Sequence, residues 1–138
     1  MKERGVTWIA NHVGVREATD KSAKRNLYHP KWRTARSTIK QRVFWSVQAR
    51  SIRAENREKN EELLELIEKE LAAASGTVQW NMNWCAAQIC IADEGLLERS
   101  IVLGERLGLY EDYPVSKGCT SPYLPIWIGS VVGKEGGK

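Results

Sequence analysis

Residues 60–74 read NEELLELIEKELAAA, and this stretch indicates an amphipathic α-helix. Its large apolar residues recur at steps of three and four, as in Leu63, Leu64, Ile67 and Leu71. Residues at that spacing share one face of a helix. Glutamates in the first turn suit the positive end of the helix dipole, and Ser75-Gly76 interrupts the pattern where a helix would end. We therefore predict a helix over 60–74 with a buried leucine face.

Helical patterns continue on both sides of this segment. The same reasoning predicts helices over 15–28, 37–55, 77–92 and 94–107. In 37–55 the expected apolar stripe is Ile39, Val43, Val47 and Ile52. The segment 110–122 contains two prolines and a glycine, which predicts a loop, and Ser121-Pro122 would begin a short last helix. No pair of strands is expected.

Short turns between helices favour antiparallel neighbours, so we predict an all-α fold of stacked antiparallel helix pairs. Similar units recur at a period of about forty residues, as from Arg42 to Trp84, which favours a HEAT-like superhelix; a closed bundle is the alternative. The expected organisation is one domain, 1–138. It comprises a divergent N-terminal segment, 1–36, helical repeats over 37–128 and a frayed tail, 129–138.

Charge is divided unevenly along the chain. Residues 1–59 contain fifteen basic and five acidic residues, a net charge of +10, whereas residues 60–138 have a net charge of −6. A strongly basic half is typical of proteins that bind polyanions such as DNA. Alternatively, the basic half pairs with the acidic half of a neighbouring subunit, which would make the protein a homo-oligomer, or with that of a missing segment.

Cysteine and hydropathy patterns point to a protein without metal or membrane span. The three cysteines form no CxxC pair, so we expect no zinc site and no cofactor, and we interpret the thiols as reduced and the protein as cytoplasmic. No stretch of eighteen apolar residues occurs, and residues 1–15 lack the apolar core of a signal peptide. We therefore expect no membrane partner.

Two stretches resemble a known family. The first is TVQWNMNWCAAQICIA at 77–92, followed by LLERSIVLGERLGL at 96–109. The second is 113–128, with the run KGCTSP at 117–122. Together they resemble the C-terminal repeats of the bacterial DNA alkylation repair family, a group of HEAT-like repeat proteins that includes alkylpurine DNA glycosylases. The resemblance covers about residues 37–128.

The resemblance implies binding of the DNA backbone in a basic groove. Gln41-Arg42 is similar to the pair that holds the family's functional arginine, and Trp84 is similar to its later tryptophan. The family's catalytic aspartate follows paired tryptophans and has no counterpart, since Asp20 is the only aspartate in 1–36. We therefore assign no catalytic residue and expect DNA binding without full glycosylase activity.

The candidate nucleic-acid-binding residues follow from both arguments. Guanidinium and ammonium groups can neutralise phosphates, and an indole can stack on a base. The candidates are Arg36, Lys40, Arg42, Arg50, Arg53 and Trp84. The structural alternatives are a solvated helix face paired with glutamates for the cations, and packing between helices for the tryptophan.

Overall fold

The computed structural model describes residues 30–136, with side chains described over 31–131. Its α-helices are α1 (Thr38–Arg50), α2 (Arg57–Glu70), α3 (Gly76–Ala92), α4 (Leu97–Leu107) and α5 (Leu124–Gly136). Short 3₁₀ helices occupy Pro30–Thr34, Leu71–Ala73 and Glu94–Leu96. The described residues contain no strand, which confirms the all-α class over this part of the chain. The helix predicted over 15–28, including Asp20, lies outside the described residues.

Helix α3 is the central element, because it contacts α1, α2, α4 and α5. Its buried residues spread over more than one face and include Val78, Asn83 and Ala87. The helix therefore buries a broader face than a single stripe, because neighbours cover most of it, while the side that carries Trp84 stays half-buried. Its small residues, such as Ala86 and Ala87, let the surrounding helices approach closely.

Helix α1 is also covered on most sides. All eight residues from 42 to 49 are buried, and the helix ends at Arg50 rather than at the predicted position 55. Val43 and Val47 pack with Trp32, while Phe44 and Trp45 belong to the main core with α3. Ile39, predicted to lie in the buried stripe, is 44% exposed. Ile39 lies in the first turn of α1, and the buried part of the helix begins only at position 42.

Helix α2 buries the leucine face predicted for it, but the helix begins before the predicted start at position 60. Leu63, Leu64 and Ile67 are buried. The segment 56–60, which lies between the helices predicted over 37–55 and 60–74, contains the first helical turn, in which Asn60 donates its backbone N–H to the carbonyl of Asn56. The Asn60 side chain is buried and donates to the Arg53 carbonyl at 3.0 Å, which ties the connection from α1 to the start of α2.

The C-terminal helices pack as a close pair. A Cβ on Gly104 of α4 would lie 2.6 Å from Cδ of Pro125 and 2.9 Å from Cβ of Leu124, so glycine permits the close approach of α5. Pro125 occupies the first turn of α5, where its missing N–H costs nothing. Helix α5 continues to Gly136, so residues 129–136, predicted to be a frayed tail, are helical. Gly108 ends α4 in the left-handed conformation, as expected of a C-cap glycine.

None of the helices within 30–136 combines the length and the apolar character that a membrane crossing requires.

Candidate nucleic-acid interface

A cleft of about 340 Å³ lies between the C-terminal end of α1 and the face of α3. The first wall consists of Ala49, Arg50, Ile52 and Arg53. The second wall consists of Trp84, Gln88, Ile91 and Ala92. The cleft therefore combines two guanidinium groups, one indole and one primary amide, and no carboxylate of the described residues lines it. It brings together three of the six predicted site residues, since Arg50 and Arg53 meet Trp84, which lies more than thirty positions further along the sequence.

Helical spacing explains why Trp84 and Gln88 lie together on the α3 wall of the cleft. Trp84 and Gln88 are four residues apart, which places their side chains one above the other on the same face. Trp84 is half-buried: it packs against the main core and also lines the cleft. Gln88 was not among the sequence-predicted residues. Its position one turn after Trp84 is the signal that would have identified it.

Arg53 is anchored at the end of α1. Its Nη1 donates to the carbonyl oxygens of Ile52 at 2.9 Å and Arg50 at 3.4 Å. A cation at this position interacts favourably with the negative end of the helix dipole. A guanidinium group has five N–H donors, so the bonds made through Nη1 leave Nε and Nη2 for other acceptors. Arg53 therefore has a structural role and retains donors for a ligand.

Arg36 and Lys40 lie at the opposite end of α1. Both are exposed, and Ser37 caps the helix between them by accepting the Lys40 backbone N–H at 3.3 Å. The Lys40 Nζ lies 5.8 Å from the ring centroid of Trp32, at the outer limit of a cation–π contact. Ten residues of helix separate Lys40 from Arg50, a distance of roughly 15 Å along the axis. Among the described carboxylates, none forms a salt bridge with Arg36, Lys40 or Arg53.

Arg42 does not belong to this surface, which corrects its prediction as a phosphate contact. Its side chain is only 2% exposed, and its Nε donates to Oδ1 of Asn81 on α3 at 2.8 Å. Burial lowers the pKa of the guanidinium from its ordinary value. Arg42 thus joins α1 to α3 inside the fold, because the helical face that it occupies is covered by packing.

Part of the basic half is neutralised within the chain. Arg33 pairs with Glu70 at 2.6 Å, and Arg57 approaches Glu61 at 3.1 Å and Asp93 at 3.8 Å. Arg33 and Arg57, which are not among the candidate residues, thus pair with carboxylates of the described chain. These pairs are partly exposed, so each contributes little to stability. They do, however, reduce the positive field away from the two ends of α1.

The KGCTSP loop and the neighbouring aromatic residues form a separate region. Trp80 packs against Tyr110 and Tyr113, with ring centroids 5.3 and 5.5 Å away. Asn83 donates Nδ2 to the Pro122 carbonyl at 2.8 Å, which holds the end of the loop against α3. Cys119 is exposed in this loop. These contacts give the loop a packing role, and it does not line the cleft.

Comparison of the chain with protein-family models, with curated proteins and with solved structures found no match. The likeness to the alkylation repair family thus depends on the residues at 77–92, 96–109 and 113–128 alone. Any function must be argued from the chemistry of the site, because a helical fold by itself is compatible with many activities.

Proposed function

We propose that this protein binds the phosphate backbone of nucleic acids through the exposed cations of α1, and that it is a HEAT-like relative of the alkylation repair proteins without full glycosylase activity. The observation that carries the proposal is the cleft in which Arg50 and Arg53 meet Trp84 with no described carboxylate in its lining. Arg36 and Lys40 add positive charge at the other end of the same helix.

The chemistry of these residues suits a polyanion. Guanidinium groups form bidentate hydrogen bonds with phosphate oxygens. Four exposed cations along α1 would each displace a condensed counterion from a nucleic acid. Phosphate contacts position a strand without reading its bases, so we expect weak dependence on sequence.

HEAT-like stacking is supported by the order of helix contacts. Helix α3 contacts α1 and α5, which would form one layer. Arg99 of α4 forms a salt bridge with Glu68 of α2, which links the other two alternate helices at the surface. Two layers of alternate helices are what stacked helix pairs produce.

The absence of glycosylase activity is proposed from the chemistry of the cleft. Cleavage of an N-glycosidic bond requires a carboxylate, or an equivalent group, that stabilises the sugar cation or orients water. The described lining of the cleft offers arginines, an indole and an amide instead. These groups can bind a strand but supply no base.

Salt-dependent binding tests the proposal directly. If all four exposed cations contact phosphates, log affinity should fall against log salt with a slope of about −3.6 on duplex DNA and about −2.8 on single strands. Replacing both cleft arginines, Arg50→Gln with Arg53→Gln, should flatten the slope by about 1.8 and 1.4 respectively. The measurement is fluorescence anisotropy with a labelled oligonucleotide from 25 to 200 mM salt.

A matched control separates local contacts from net charge. Lys69→Gln with Lys117→Gln removes the same charge from two exposed positions away from the cleft. This variant should keep the wild-type slope. Equal slopes for the two double variants would contradict binding at the cleft, and a wild type that binds no oligonucleotide at 25 mM salt would contradict the proposal altogether.

An interaction scaffold is the second candidate function. It is supported by Val102 of α4 and Ile126 of α5, which are 53% and 50% exposed on two helices that contact each other. Light scattering after gel filtration measures the native mass. An oligomer held by charge pairs would dissociate at high salt, since exposed ion pairs are screened, whereas apolar contacts would persist.

A further inference from the structure

The two walls of the cleft differ in chemistry. The α1 wall has the guanidinium groups of Arg50 and Arg53, and the α3 wall has the indole of Trp84 with the amide of Gln88 one turn further on. A ligand that fills the space between them would place an anionic group on one side and a flat, hydrogen-bonding group on the other. A nucleotide has this division, because its phosphate and its base are separated by the sugar.

We propose that the cleft takes one unpaired nucleotide of a DNA or RNA strand, with the base against Trp84 and Gln88 and the flanking phosphate at Arg50 and Arg53. The inference depends on the proposed nucleic-acid binding and adds a substrate class to it, namely single-stranded segments. Gln88 can both donate to and accept from the edge of a base.

Single strands are favoured because a base inside a duplex has no free face. Its two faces are covered by the neighbouring base pairs, so stacking on an indole requires an unstacked base. The size of the cleft agrees with this occupant. Ligand sites in proteins occupy about 300–1,000 Å³, so a cleft of about 340 Å³ is small and suits one nucleotide.

Trp84 differs in this respect from Trp80, one turn earlier on α3. The Trp80 ring is engaged by Tyr110 and Tyr113. Trp84 instead lines the cleft beside the arginines. The same helix thus supplies a stacking residue and a matched tryptophan away from the cleft.

The test compares four labelled probes with the same number of phosphates at one salt concentration: a single-stranded DNA, the RNA of the same sequence, the blunt duplex, and a single strand of abasic nucleotides. Stacking of one base on an aromatic ring changes affinity by about 5- to 100-fold. We expect at least one base-bearing single strand to bind tighter than the abasic strand by this factor, and tighter than the duplex. The DNA and RNA probes show which sugar the site accepts.

Variants of the indole assign the effect to Trp84. Trp84→Leu keeps an apolar side chain against the core but removes the ring, so it should weaken binding of the base-bearing strands by about 5- to 100-fold and leave the abasic strand unchanged. Trp84→Phe restores a ring and should recover most of the loss. Trp80→Phe should bind all four probes as the wild type does.

The outcomes distinguish this inference from the proposed function. Equal wild-type affinities for abasic and base-bearing strands would overturn the nucleotide site even if Trp84→Leu failed to fold. In that case, if the double variant Arg50→Gln with Arg53→Gln still flattened the salt slope, binding of the phosphate backbone would remain supported. No binding of any probe would overturn both.

Discussion

The buried contact between Arg42 and Asn81 predicts that Arg42 governs stability and not nucleic-acid binding. Its guanidinium Nε donates to Oδ1 of Asn81 at 2.8 Å, with both side chains almost fully buried between α1 and α3. The informative change is Arg42→Met, because methionine has a similar length and is apolar. It removes the donor without opening a large cavity.

The magnitude follows from what the change leaves behind. In Arg42→Met, the Asn81 oxygen stays buried without this donor, which costs about 1–3 kcal/mol. Because Arg42 has a further interaction, the loss of stability in Arg42→Met should be at least this large. The reciprocal change, Asn81→Leu, leaves the buried guanidinium without this acceptor and should cost at least about 2 kcal/mol, since charged groups lose more.

Urea unfolding followed by circular dichroism measures these costs. For a slope of about 2 kcal/mol per molar urea, a loss of 2 kcal/mol lowers the midpoint by about 1 M. The double variant, Arg42→Met with Asn81→Leu, should be less destabilised than the sum of the single variants, by about 1–3 kcal/mol. At low temperature, where the variant is folded, the salt slope for DNA binding should equal that of the wild type.

The opposite pattern would refute this reasoning. If Arg42→Met kept the wild-type urea midpoint and flattened the salt slope by about 0.9, Arg42 would be an exposed phosphate contact. Additive costs in the double variant would show that the two side chains do not interact.

Four further predictions address packing, thiol labelling, pH-dependent stability and catalysis. Gly104→Ala should destabilise the fold by about 1–3 kcal/mol in urea, because the added Cβ would collide with Leu124 and Pro125, whereas Gly76→Ala, where no atom lies within 4 Å, should show no such steric cost. Burial raises the pKa of Cys85 to about 12 and also raises the pKa of Cys90, while Cys119 is exposed. Iodoacetamide at pH 8 should therefore label one thiol of the native protein. Mass spectrometry should find three labelled thiols only after the protein is unfolded. Because the folded-state pKa of Cys85 exceeds its ordinary value of 9.0, the associated stability is complete below pH 9 and should decline as the pH rises from 9 towards 12, a decline that Cys85→Ala should reduce. Incubation with alkylated duplex DNA should release no methylated purine above the uncatalysed background by chromatography, and robust turnover would show that a carboxylate outside the cleft lining takes part.

The helices themselves could largely be read from the sequence. The leucine spacing in 60–74 identifies the buried face of α2 because residues three and four apart share a face wherever the helix packs. Gly108 marks the end of α4 for an equally local reason, since glycine adopts the left-handed conformation without a steric cost. Boundaries were less accurate, as at the start of α2, which begins at Arg57 although the apolar pattern starts only at Leu63.

The composition of the cleft required the tertiary structure. Arg50, Arg53 and Trp84 were recognisable as candidates from charge and ring chemistry, but their meeting depends on how α1 lies across α3. Gln88 could be linked to the site only through its spacing from Trp84, because an isolated glutamine on a helix has many roles.

Local patterns along this chain determined which residues share a helix face, where α4 ends and that the described fold is all-helical. They did not determine how many faces of each helix are covered. Arg42 and Arg50 are both basic residues of α1, yet one is buried against Asn81 and the other is exposed at the cleft. Burial depends on the neighbours that a helix acquires in three dimensions, and those neighbours come from residues distant in sequence. The tertiary structure therefore decided which arginines are buried between helices and which lie at the surface.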